Sequence, residues 1–128
     1  SSAIEAAAST ADESIGLALF AARQARLLRD SLSMPLASNL EIYEPTLVVP
    51  TKALLERIQV LAVQMEHVAG IRGLDLYGTV DEEIEVSPKF FVVVGNSPRQ
   101  RMVVKQPAVV RRRSDGTIGD VVSKGLVE

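Results

Sequence analysis

The sequence predicts an α+β protein with two main helices packed on a mainly antiparallel sheet and a strand-rich C-terminal half. Residues 51–69 repeat apolar side chains at three- and four-residue spacing, which is typical of an amphipathic helix. Residues 1–30 are rich in alanine and contain no proline, and they predict a helix from about residue 11 to residue 30. Residues 80–113 carry several β-branched runs separated by turn-forming residues. Because strands follow helices in a run, this order favours α+β over a parallel α/β sheet.

The second predicted helix has the clearest pattern. Pro50 should prevent an earlier start, Thr51 can cap its N-terminus, and Gly70 can end it. The apolar side chains of this helix form a wide stripe, and a helix with so wide an apolar stripe is usually covered on more than one side, by a sheet or by another helix. The apolar positions are Leu54, Leu55, Ile58, Leu61, Ala62, Met65 and Val68, with Val60 and Val63 widening the stripe.

The first predicted helix should begin with a capping box at Ser9 or Thr10. Gly16 lies inside it and should weaken it. Its small side chains allow another helix to approach closely. That surface suits packing within the chain, with a contact between subunits as the alternative.

The region between the helices is predicted to be irregular and then extended. Residues 31–39 are rich in serine and contain Pro35, so they predict a loop. Residues 40–49 predict a strand that Pro45 interrupts, as expected for an edge strand or a bulge. After the second helix, residues 71–77 predict a short strand.

The C-terminal half predicts a series of strands. Residues 80–87 alternate apolar and polar side chains, and 89–94 form a continuous apolar run that predicts a strand buried on both faces. Residues 99–105 should return as an antiparallel partner of that run. A further short strand is predicted at 108–113, followed by a turn at Ser114–Gly116, and 117–128 predicts a strand or an ordered tail.

Length and composition predict one domain over residues 1–128, with a core of valine, leucine, isoleucine and alanine, because aromatics make up only 4%. The absence of cysteine excludes a disulfide scaffold, a thiolate metal site and a cysteine nucleophile. Neither a signal peptide nor an apolar run of membrane-spanning length is predicted, and the compartment is not indicated. Because the chain begins at Ser1, we expect a processed product or a piece of a longer protein.

Charge is strongly segregated along the chain. Residues 1–88 hold six basic and thirteen acidic side chains, a net charge of −7. Residues 89–113 hold seven basic side chains and no acidic one, and 114–128 carry a net charge of −2. The near-neutral total of −2 therefore conceals a marked polarity.

Sequence motifs of catalysis or cofactor binding are missing. Neither G-x-G-x-x-G nor G-x4-G-K-[ST] occurs, so no phosphate-binding cofactor is predicted. His67 is the only histidine, whereas zinc sites use three or four ligands, so no metal site is predicted. The acids of Asp81–Glu83 are consecutive, as in a solvated turn rather than a cation site. The sequence thus predicts a protein without enzymatic activity or a cofactor.

The basic segment 89–113 is the candidate contact site. Its positive face could bind a protein partner, could contact nucleic-acid phosphates, or could protect a sheet edge from unwanted pairing. Few aromatic residues accompany the basic ones, which disfavours stacking on single-stranded bases. The predicted contact residues are Arg99, Arg101, Lys105, Arg111, Arg112 and Arg113.

These observations together favour a structural or adaptor subunit that self-associates or docks in a larger protein assembly, such as a virion or a multi-subunit machine. The alternative is an accessory domain that binds nucleic acid through the basic segment. In the first case, the basic segment of one copy would face the acidic residues 1–88 of the next, giving a head-to-tail homo-oligomer.

Overall fold

The computed structural model describes residues 2–95 and 100–128 and confirms the α+β class. Two helices precede strands that form two mainly antiparallel sheets. The described elements are α1 (Ser2–Tyr43), a short 3-10 turn (Pro45–Leu47), α2 (Val48–Ile71), β1 (Leu74–Tyr77), β2 (Glu83–Glu85), β3 (Phe91–Val93), β4 (Arg101–Gln106), β5 (Ala108–Arg112), β6 (Ile118–Ser123) and β7 (Gly125–Val127).

The chain divides into two compact units. One, the sheet unit, combines the residues up to Leu17 with Ala69–Glu128. The other, the hairpin unit, is Ala18–Val68, which contains the C-terminal part of α1, the 3-10 turn and most of α2. The prediction of a single domain stays a prediction.

Helix α1 extends well beyond the predicted range. The predicted loop at 31–39 and the predicted strand at 40–49 are both wrong, because α1 continues to Tyr43 and α2 begins at Val48. Pro35 removes a backbone donor inside α1. The side chains of this turn that lie toward α2 remain half-buried, including Leu36 and Leu40. Packing along the hairpin therefore overrides the local helix-breaking signal.

The ends of both helices also differ from the predictions. The predicted capping box is wrong: Thr10 lies inside α1, where its hydroxyl donates to the Ala6 carbonyl at 3.0 Å. Pro50 falls in the first turn of α2. Backbone N–H groups in the first turn make no hydrogen bond within the helix, so a proline, which has no N–H, is tolerated there. The helix ends one residue after the predicted Gly70, ahead of Gly73, whose positive φ of 66° suits glycine.

In the sheet unit, the three-stranded sheet has the order β1-β5-β6, and all of its pairs are antiparallel. Strand β5 is central, and its residues Ala108, Val109 and Val110 are fully buried. Helix α1 approaches this strand closely, since a Cβ on Gly16 would overlap the Val109 side chain. Gly16 therefore allows close packing of the helix on the strand, which offsets the loss of helix propensity predicted for it.

The four-stranded sheet has the order β2-β4-β7-β3. Strand β3 is short, parallel to β7 and exposed at Val92, so the prediction of a 89–94 strand buried on both faces is wrong. The predicted antiparallel partner of that run exists as β4, but β4 pairs with β2 and β7 instead. A turn that bonds the Phe90 and Phe91 amides to the Ser87 carbonyl shortens the strand.

Buried side chains of the four-stranded sheet form one cluster. Only two of its four buried members are aliphatic, and an aromatic ring and a thioether make up the other two, so the prediction of a core of valine, leucine, isoleucine and alanine does not hold for this cluster. The buried members are Phe91, Met102, Val104 and Val127.

Candidate interaction surfaces

The hairpin unit is an antiparallel pair of helix segments whose facing side chains follow a seven-residue repeat. Residues that are spaced alternately three and four positions apart lie on one side of a helix, and this is the spacing of the residues in a coiled-coil seam. Arg29 crosses the seam, where its Nε donates to the Leu55 carbonyl oxygen at 3.1 Å. The inner seam, buried or half-buried throughout, consists of Ala22, Arg26, Arg29, Ser33, Leu36 and Leu40 on α1 and Thr51, Leu55, Ile58, Ala62 and Met65 on α2.

One flank of the hairpin is charged. Arg23 on α1 binds Glu66 on α2 through two hydrogen bonds, of 2.6 Å from Nε and 3.1 Å from Nη2. On the same flank, nearer the 3-10 turn, a groove of about 530 Å³ opens between the helices, lined in part by Ala37, Lys52 and Glu56. We call this side the charged flank.

The opposite flank is almost free of charge. Each helix turns by about 100° per residue, which places a second seven-residue repeat on the side of each helix that faces away from Arg23 or Glu66. Because Arg23 and Glu66 contact each other on the charged flank, these two repeats lie together on the opposite flank. Of its thirteen residues, all of them described, only Arg57 is charged. This apolar hairpin face consists of Ala21, Ala25, Leu28, Leu32, Pro35, Asn39 and Ile42 on α1 and Pro50, Leu54, Arg57, Leu61, Gln64 and Val68 on α2.

The large side chains of the apolar hairpin face are exposed. Leu28 is 62% exposed, Ile42 72%, Leu54 61% and Leu61 64%. Isolated exposed apolar residues are ordinary, but a contiguous patch of them marks a surface that binds protein or lipid. A helix pair with an apolar outer side in addition to its packed inner seam is typical of one that is covered on that side too.

The predicted basic contact residues do not form one surface. Arg101 and Lys105 lie on β4 in the four-stranded sheet, whereas Arg111 and Arg112 lie on β5 in the other sheet. Arg99 lies outside the described residues.

Several of these arginines already bind acidic side chains. Arg101 contacts Glu83 at 3.1 Å, Arg111 contacts Asp12 at 2.6 Å, and Arg112 contacts Asp75 at 2.6 Å. Arg113 donates to the Thr117 hydroxyl at 3.4 Å, and Lys105 is exposed. Much of the positive charge in this segment is therefore neutralised within the chain. The assignment of these residues as a contact site stays a prediction.

The strongest polar cluster surrounds Asp12. Its carboxylate is 2% exposed and accepts hydrogen bonds from Arg72 Nε and Nη2 at 2.9 and 3.1 Å and from Arg111 Nη2 at 2.6 Å. Arg111 also donates to the Arg72 carbonyl oxygen at 2.7 Å. The cluster thus joins α1, the end of α2 and β5 within the sheet unit. Hydrogen bonds from Arg72, with further help from Arg111, lower the pKa of Asp12 to about 2 despite its burial.

Replacing Asp12 should destabilise the sheet unit. We expect Asp12→Ala to lower the free energy of unfolding by about 2 kcal/mol, because charge-assisted hydrogen bonds are lost, while the half-exposed arginines limit the effect. Since the pKa in the folded state lies below the ordinary 3.8, this stabilisation is present above about pH 4 and disappears as the pH falls towards 2. Urea unfolding at several pH values measures both effects.

The matched control is Glu13→Ala, which removes the exposed acid next along the same helix. It should change the free energy of unfolding by less than about 0.5 kcal/mol. Equal effects of the two substitutions, or an Asp12→Ala variant with the same acid sensitivity as the parent, would contradict this role of Asp12.

The part of the chain that the structure describes contains neither a convergent set of metal ligands nor a membrane-spanning helix. No three histidine or acidic side chains there converge as metal ligands, and His67 is exposed on α2. Within residues 2–95 and 100–128, neither helix combines the length and the apolarity that crossing a bilayer requires.

Sequence reasoning missed the apolar hairpin face. The seven-residue spacing of Leu54, Leu61 and Val68 is visible in the sequence, as is the width of the apolar stripe. The second repeat on α1 was hidden because 31–43 was assigned to a loop and a strand. Without that stretch of helix, the two repeats could not be placed on one side of a hairpin.

Comparisons with known proteins give no match: no family model, curated protein or solved structure corresponds to this chain. Function is therefore inferred from the surfaces of the molecule alone.

Proposed function

We propose that this chain is a non-enzymatic structural or adaptor subunit that self-associates or docks in a larger protein assembly, and that the hairpin unit provides the contact. The observation that carries the proposal is the apolar hairpin face, with Leu28, Ile42, Leu54 and Leu61 each more than half exposed. Contact with another protein would remove this apolar surface from water and contribute roughly 25 cal/mol for each Å² buried.

Charge balance in the hairpin unit supports the same proposal. Residues 18–68 contain five basic and five acidic side chains, so the unit has no net charge. A surface that binds a polyanion is strongly basic, whereas charged residues are depleted at the centre of protein interfaces. The balance therefore favours a protein as the partner.

Nucleic-acid binding through residues 89–113 is the alternative function. It draws support from the absence of acidic residues in that segment, but Arg101, Arg111 and Arg112 each bind an acid of the same chain. Phosphates would have to displace those carboxylates. Titration of labelled RNA and duplex DNA at several salt concentrations distinguishes the functions: affinity that falls steeply with salt, and that is lost when Arg111–Arg113 become glutamate, would favour the alternative.

Fractionation of a native extract tests the proposed function. We expect the chain to migrate well above its monomer mass of 13.8 kDa, and to remain there in moderate salt, because apolar burial is not screened by ions. A chain that migrates as a free monomer in the native extract would contradict the proposal, whatever the purified protein does.

A further inference from the structure

The α2 part of the apolar hairpin face is symmetric about Leu61. Leu54 lies seven residues before Leu61 and Val68 lies seven residues after it. The polar residues of the same stripe, Arg57 and Gln64, lie four before and three after. If a second α2 helix runs antiparallel with Leu61 at the centre, apolar residues therefore meet apolar ones and polar residues meet polar ones.

We propose that a second copy of this chain covers the apolar hairpin face in an antiparallel, two-fold arrangement, so that the two hairpins form a four-helix layer. This inference rests on the proposed function and names its partner. Leu61 would contact Leu61 of the partner subunit, Leu54 would contact Val68 of the partner subunit, and Arg57 would lie beside Gln64 of the partner subunit. A two-fold contact of this kind is closed and self-complementary.

Charge selects the antiparallel direction. Arg57 is the single charged residue among the described residues of this face. In a parallel arrangement, two Arg57 side chains would meet in an apolar contact, where like charges are costly. In the antiparallel arrangement, the two Arg57 residues lie on opposite sides of the Leu61 pair, about 12 Å apart along the helices, and each guanidinium group has the Gln64 amide oxygen as an acceptor.

The α1 part of the face has a matching symmetry. The Arg23–Glu66 pair sets the relative height of the two helices, and it places Leu61 level with Leu28, because Leu61 lies five residues before Glu66 and Leu28 lies five residues after Arg23. The same two-fold axis then brings Leu28 against Leu28 of the partner subunit. Small residues fall opposite larger ones on either side of this pair, since Ala25 meets Leu32 of the partner subunit. Both helices thus fit one axis.

The size of the face is sufficient for a stable dimer. At 1.5 Å per residue, the shared length of the two helix segments is about 30 Å, and two helices side by side are about 20 Å wide, which gives on the order of 600 Å² per copy. Specific interfaces bury about 600–1,000 Å² on each partner. A second copy of the hairpin offers a face of the same area. Because this face is nearly uncharged, two copies of it can pack together without electrostatic repulsion.

Cysteine pairs test the arrangement on the full chain, which has no cysteine of its own. Leu61→Cys should form a covalent dimer under mild oxidation, because two residues on the axis can reach the 4.4–6.8 Å between Cα atoms that a disulfide needs. Leu54→Cys should cross-link poorly with itself but readily when mixed with Val68→Cys. Leu27→Cys, 61% exposed outside the apolar hairpin face, is the control and should cross-link at least ten times more slowly than Leu61→Cys.

Circular dichroism confirms that each variant is folded, and sedimentation of the unmodified chain at tens of micromolar gives an independent reading. A sedimentation mass of two chains, together with the expected pattern of cross-links, supports the inference. A monomer, a Leu54→Cys variant that links mainly to itself, or a Leu27→Cys variant that links as fast as Leu61→Cys would overturn it. A purified monomer whose native extract still shows a large assembly would overturn only the choice of partner, and the proposed function would stand.

Discussion

The Leu61→Glu variant is expected to associate at least 100-fold more weakly than the wild-type chain. Leu61 is 64% exposed at the centre of the apolar hairpin face, and the proposed two-fold arrangement would bring both copies of it together. Burial of one leucine contributes about 1.5–3 kcal/mol, and both copies lose that contribution. Each 1.4 kcal/mol changes an equilibrium tenfold, and two buried carboxylates would add a further penalty. Sedimentation over a range of protein concentrations measures the dissociation constant.

The matched control is Leu27→Glu, which introduces the same charge at an equally exposed leucine of α1 that lies outside the apolar hairpin face. We expect its dissociation constant to stay within about threefold of the wild-type value, a difference below 1 kcal/mol. If the two substitutions weaken association equally, the contact does not depend on the apolar hairpin face, and general loss of surface hydrophobicity explains the result.

The Gly125→Ala variant is expected to lose about 3 kcal/mol of the free energy of unfolding. Gly125 begins β7, which lies between β4 and β3, and its amide donates to the Phe90 carbonyl oxygen at 2.8 Å. A Cβ there would overlap the Gln106 carbonyl oxygen and would lie 2.6 Å from the Ala108 nitrogen. Both obstacles are backbone atoms in a packed sheet unit, so the strands themselves would have to separate. Urea unfolding at a fixed protein concentration measures the loss.

Gly70→Ala is the control for Gly125→Ala. Gly70 lies in the last turn of α2, and a Cβ there would have no atom within 4 Å. Because alanine favours the helix, we expect this variant to gain about 0.5–1 kcal/mol. A Gly125→Ala variant that unfolds at the same urea concentration as the wild type would show that the close approach of β7 to residues 106–108 is not required.

The fold class was predictable because strong local patterns coincide with the real elements. The repeat in residues 51–69 corresponds to α2, and the alternation around Ile84 corresponds to β2. The turn at Ser114–Gly116 was marked by its residue types, and it forms with the Gly116 amide bonded to the Arg113 carbonyl. In each case the local preference and the packing of the chain agree.

The region 31–49 was mispredicted because local preference and packing conflict there. Serine and proline favour a loop, and the β-branched residues before Pro50 favour a strand. Pairing of α1 with α2 decides the outcome instead, since Leu36 and Leu40 are half-buried in the inner seam. Strand β3 was misjudged for a related reason: its parallel partner β7 lies over thirty residues along the chain, which local patterns do not reveal.

The contact site predicted from the sequence is the basic segment 89–113, whereas the surface that the structure favours is the apolar hairpin face. Segregated charge in the sequence suggested that residues 89–113 meet a separate acidic partner. In the folded chain, acids from the acidic N-terminal part reach several of those residues, as Asp12 does for Arg111 and Asp75 for Arg112. Charge segregation along a sequence can therefore reflect pairing within one molecule, and sequence alone does not separate the two cases.

Sedimentation equilibrium of the purified wild-type chain beside the Leu61→Glu variant tests most directly whether this chain associates through the apolar hairpin face. At tens of micromolar, we expect the wild type to have twice the 13.8 kDa chain mass and the variant to have the mass of one chain. A wild-type chain that has the mass of one copy at every concentration, or a variant that has the same two-chain mass as the wild type, would contradict the account.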